Sequence, residues 1–102
     1  MFIVNTTFHV ENSLLDEFLI WVKDIYIPEA VASGLLNSPV LNRILVEVDP
    51  AATGYAVQFC ADTIEHASLW HDEQGAELRG QLMRRWPQQI VFFTTYMEII
   101  PL

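Results

Sequence analysis

The chain has 102 residues, with 5 basic against 13 acidic side chains and a formal net charge of −8. That balance repels phosphate backbones and anionic lipid headgroups, so nucleic acid and membrane are expected not to be partners. Apolar residues make up 52% and charged residues only 18%, more apolar surface than one small core hides, and a second copy of the chain is the simplest cover.

The length suits one domain, residues 1–102. Cys60 is the single cysteine, which excludes an intrachain disulfide and fits a reducing, cytoplasmic setting. The opening "MFIVNTTFHVEN" lacks a basic segment and its apolar run is cut by Asn5, Thr6 and Thr7, unlike a secretory leader. No apolar run is long enough to span a membrane.

In chain order, "FIVNTTFHV" (2–10) is rich in β-branched and aromatic residues and reads as a strand. Alternation puts Phe2, Val4, Thr6, Phe8 and Val10 on one face and Ile3, Asn5, Thr7 and His9 on the other. Asn12 or Ser13 then caps a helix with Asp16 and Glu17 in its first turn. Its apolar arc is wide, with Leu15, Leu19, Val22 and Tyr26 at one helical spacing and Leu14, Phe18, Trp21 and Ile25 at another. Pro28 lacks an N–H and clashes with the carbonyl of Asp24, so the helix is expected to kink or stop near Ile27. A short helix over Pro28–Ser33 follows, closed by a left-handed Gly34.

"PVLNRILVEVD" (39–49) and "YAVQFCA" (55–61) read as an antiparallel hairpin. Asp62 and Glu65 form a capping box for one long helix with the inward stripe Ile64, Ala67, His71, Gly75, Leu78, Leu82 and Trp86. Pro87 stops it, and "QIVFFTTYMEII" (89–100) is the last strand. The order β-α-β-β-α-β is the ferredoxin-like α+β arrangement, a four-stranded antiparallel sheet with two helices on one face.

Alternation then assigns the uncovered face. Asn5, Thr7, His9, Arg43, Glu47, Gln58, Cys60, Thr94 and Tyr96 are expected there, opposite a core face with Val40, Ile44, Val46 and Val48 in the second strand. A mixed polar and aromatic face is what the wall of a half-enclosed pocket looks like.

The chain resembles a family of small uncharacterised bacterial proteins, the DUF4286 domain family. The resemblance rests on "NTTFHV", "FLIWVKDIYIPEAVASGLL", Arg43, "GYAVQF" and "FFTTYMEI", and it covers essentially the whole chain. The family is similar to the dimeric α+β barrel superfamily, in which two ferredoxin-like sheets pack face to face. The resemblance therefore implies a homodimer with a cavity between sheet and helices. It assigns no catalytic residues, and fold analogy alone does not fix function.

The leading functional expectation is a domain that binds a small, largely apolar ligand between the sheet and the first helix, lined by Asn5, His9, Tyr26, Arg43, Gln58 and Tyr96. The alternative is a cofactor-independent enzyme of the monooxygenase or isomerase type, with His9 as base and Arg43 holding an anion. A purely structural dimer is the third reading. For each residue there is also a plainer role. Arg43 pairs with Glu47 or with the second copy, the tyrosines form a core rim, and the tryptophans anchor packing. His66 and His71 are five residues apart and so fall on different helix faces, which excludes them as joint metal ligands. There is no phosphate-binding loop and no nucleophile elbow, and neither cofactor nor metal is expected.

Overall fold

The first strand sets the layers. In the computed structural model, which describes residues 1–102, β1 runs Phe2–Glu11. Val4, Thr6, Phe8 and Val10 are buried on one side, while Ile3, Asn5 and His9 on the other are only half-buried. This strand lies inside the sheet, antiparallel to both β3 (Ala52–Ala61) and β4 (Ile90–Glu98). The edge strand β2 (Asn37–Ile44) pairs with β3, giving the order β2-β3-β1-β4. With the helices on one face, this is the ferredoxin-like topology read from the sequence.

The first helical region departs from expectation at Pro28. α1 (Leu15–Trp21) leads into a wider π turn, Val22–Tyr26, and then into α2 (Ile27–Ala32) with no break in right-handed helical dihedrals. The Ile27 N–H donates to the Val22 carbonyl, five residues back. A wider turn moves the Asp24 carbonyl out of the path of the proline ring, so the helix swells instead of kinking. Phe18, Val22, Tyr26 and Ala30 are all fully buried, at an unbroken spacing of four. Gly34 then closes the segment at φ +77, as its left-handed cap requires.

The second helical region is two helices, α3 (Ile64–Asp72) and α4 (Gln74–Arg85), where one was expected. Glu73 breaks it at φ −106, ψ −87. The cap is Thr63 and not Asp62: the Thr63 hydroxyl accepts from the His66 N–H at 3.1 Å. Ile64 is exposed, and Trp70 takes the inward place instead.

Between helices and sheet the space is filled by rings. Phe8 packs on Phe18 (5.3 Å between centroids) and Tyr26 (5.7 Å), Tyr26 on Trp70 (6.0 Å), and Trp21 on Trp86 (6.1 Å). Such tilted and edge-on pairs stabilise by about 0.5–1.5 kcal/mol beyond their buried area. The two buried indole N–H groups have acceptors, Glu17 for Trp86 and Gln74 for Trp70.

β2 is shorter than expected and shifted in register. It ends at Ile44, and residues 45–49 form an exposed loop in which Leu45 is 87% exposed. Pro39 sits on this edge strand, where a missing N–H costs no ladder bond, and Ser38 adopts φ 53 beside an irregular pairing.

Candidate functional site

Register decides which candidate side chains meet. Leu41 opposes Val57 and Arg43 opposes Tyr55, both on the helix face. Val40, Asn42 and Ile44 therefore take the uncovered face, the reverse of the assignment from alternation. Thr94 and Tyr96 are reversed too, since they oppose Thr6 and Val4 on the helix face. Thr6 and Thr94 share a hydroxyl hydrogen bond of 3.0 Å there. The residues of β4 on the uncovered face are Val91, Phe93, Thr95 and Met97.

The six expected ligand-lining residues thus do not converge. Asn5, His9 and Gln58 are on the uncovered face, with Asn5 and Gln58 directly opposed. Tyr26 lies in the middle of the aromatic core. Burial pushes its hydroxyl up to about 12, against only partial relief from the nearby Thr6 hydroxyl and the Arg79 charge. Its oxygen has no hydrogen-bond partner in bonding geometry. Tyr96 lies at the β4 edge against His71, with ring centroids 5.6 Å apart. Its pKa is raised by partial burial and then by the Asp72 carboxylate. His9 and Arg43 stand on opposite faces. Both border the small cleft of about 210 Å³ under the 45–50 loop, which Arg43 reaches where β2 leaves the sheet.

A groove between the first helical region and the sheet is nevertheless present, at the β2 edge and not over the sheet centre. It is a shallow, open groove of about 360 Å³ between Leu19 and Lys23 on one side and Leu41, Arg43, Leu45 and Tyr55 on the other. Leu19 and Lys23 are four residues apart and so share a helix face. Tyr55 is 3% exposed, and its hydroxyl has no hydrogen-bond partner. A buried hydroxyl left unpaired costs about 1–3 kcal/mol, a local cost carried in the wall beneath the groove. The sequence alone does not single out Lys23 as a ligand contact, and it places Tyr55, with the other tyrosines, at the core rim. The available signal was the pairing of Lys23 with Leu19 on one helix face, in a chain with only 5 basic residues.

No three His, Cys, Asp or Glu side chains gather closely enough to hold a metal ion. The imidazole of His71 lies 3.4 Å from the Asp72 carboxylate, the one contact between a basic and an acidic side chain. No helix is long and apolar enough to cross a membrane.

Sheet order, helix placement and register define a ferredoxin-like α+β protein. The chain belongs to the family described as a domain of unknown function, DUF4286, whose model matches residues 1–100. No curated protein sequence matches it. Among solved structures it is similar to HapK from Hahella chejuensis, with TM-score 0.70 and 11% identity over 98% of this chain and 93% of that one. A dimeric ferredoxin-like protein from an uncultured marine organism aligns with TM-score 0.67 and 12% identity over 100% of this chain and 97% of that one. An antibiotic biosynthesis monooxygenase aligns with TM-score 0.64 and 13% identity over 99% and 100%. At these identities the likeness concerns the fold.

Proposed function

We propose that this chain is a single homodimeric domain that binds a small, largely apolar molecule in the groove between α1 and β2. The observation that carries the ligand reading is the groove itself, walled by Leu19, Leu41 and Leu45 with two cations, Lys23 and Arg43, on its rim. A concave, mostly apolar wall with a few polar groups is the usual form of a small-molecule site.

The dimer reading is supported by the uncovered sheet face. Val40, Val91, Phe93 and Met97 are exposed there, beside the half-buried Ile3, Ile44 and Cys60. Apolar residues exposed along both outer strands, with polar Asn5, His9 and Gln58 between them, are a liability for a monomer and fit a mixed two-fold interface. Two of the structural relatives are described as dimeric.

The test uses naphthalene-2-carboxamide, a neutral apolar probe, with backbone amide NMR. Saturable shifts are expected at Leu19, Leu41 and Tyr55. Shifts confined to the His9 cleft, or none at millimolar probe, would overturn the ligand reading. Light scattering at micromolar chain should give the mass of two copies; a monomer would overturn the dimer reading.

A further inference from the structure

We propose that the α1–β2 groove takes a molecule with an apolar body and an anionic, carboxylate-like head, and that Lys23 and Arg43 hold that head. This inference rests on the proposed ligand site and adds the chemical class of what enters it.

The chain as a whole argues the other way, which makes the local arrangement informative. With 13 acidic residues against 5 basic ones, a cation has no shortage of carboxylates to pair with. Two of the five have specific partners. Arg79 donates to the His71 carbonyl at 2.8 Å, and Arg85 lies 4.4 Å over the Trp86 ring. Lys23 and Arg43 have neither a salt bridge nor a side-chain hydrogen bond, yet they border the same groove. Two like charges on one rim repel each other, and an anion between them reverses the sign of the interaction.

The donors are arranged by ordinary local structure. Arg43 opposes Tyr55 across the β2–β3 pair, so their side chains stand side by side on the helix face. Lys23 extends from the π turn on the facing wall. The guanidinium presents a planar fork to a carboxylate, and the ammonium adds a compact charge. Leu19, Leu41 and Leu45 leave the rest of the groove apolar, which excludes a small inorganic anion as a good fit and favours a head joined to a hydrocarbon or aromatic body.

The experiment compares naphthalene-2-carboxylate with naphthalene-2-carboxamide, the same body with and without charge. The carboxylate is expected to bind about tenfold tighter, in line with charge-assisted bonds to partly exposed cations. Added salt is expected to shrink the preference. The double variant Lys23→Gln, Arg43→Gln removes two exposed charges and is expected to bring the two probes to equal affinity, with the larger loss falling on the carboxylate. Equal affinities for the wild-type chain would overturn the anionic class and leave the apolar site standing. A carboxylate preference that survives the double variant would overturn the assignment to Lys23 and Arg43. Absence of binding by either probe would remove the site itself.

Discussion

Phe8 and Phe93 lie one register step apart on neighbouring strands and meet opposite fates. Phe8 is 0% exposed, packed against Phe18, Tyr26 and Phe92. Phe93, opposed to Thr7, is 56% exposed on the face without helices. β4 carries large apolar residues on both faces, so what separates these two rings is what covers them. An apolar strand face marks a demand for cover, and only the packing of other elements tells whether the chain meets it alone.

The sharpest way to break this comparison is to truncate both rings. Phe8→Ala should lower stability by about 3–5 kcal/mol in urea denaturation, because it leaves a cavity among rigid aromatic neighbours. Phe93→Ala should cost less than about 1 kcal/mol within one copy, since a surface truncation leaves no cavity. Its larger effect should be on assembly, shifting the light-scattering mass toward that of a single chain. Equal losses of stability would mean that the two faces are not different environments.

The helix-side core also has a pH signature. The Tyr26 phenol is raised to about 12 in the folded chain, while the unfolded chain ionises it at 10.0. Above that lower value the unfolded chain holds fewer protons, so stability falls as pH rises. It should be flat in this respect below about pH 10 and drop by about 1.4 kcal/mol per unit up to about 12. Denaturation midpoints across this range should show the slope, and Tyr26→Phe should remove it.

Smaller effects separate two glycines in α4. A Cβ on Gly75 would meet Arg79 Nη1 at 2.8 Å, the Trp70 carbonyl at 3.0 Å and the Trp70 ring at 3.1 Å. Gly75→Ala should therefore cost about 1–3 kcal/mol. At Gly80 the nearest atom is the flexible end of Arg84 at 3.2 Å, and Gly80→Ala should stabilise by about 0.5–1 kcal/mol through helix propensity. Thermal melts of the two variants should move in opposite directions.

The fold was legible because β1 alternates cleanly and the turn signals are strong. The face assignment of β1 and β3 held for the same reason, with polar Asn5, His9 and Gln58 set against Val4, Phe8 and Val57. β2 and β4 were not legible in this way. Val40 and Leu41, or Phe92 and Phe93, are apolar on both sides, so alternation carries no contrast. A slip of one position then reverses every side chain. That reversal misplaced Arg43, Thr94 and Tyr96. A groove between the first helix and the sheet was expected, and the one present lies at the β2 edge because aromatic rings fill the centre. Volume of that kind is a property of three-dimensional packing, and no local pattern encodes it.

The π turn has a consequence that substitution experiments would miss. In a regular α-helix each step of four residues drifts by about 40° around the axis, so Phe18, Val22, Tyr26 and Ala30 would wind off one line. The wide turn takes up that drift. What it depends on is residue count. Deleting any one residue between Val22 and Tyr26 would close it into a regular α-turn, which restores the drift and returns the carbonyl four residues before Pro28 to the path of its ring. Homologous chains are thus expected to vary at the exposed Asp24 and hardly at all in how many residues the turn holds.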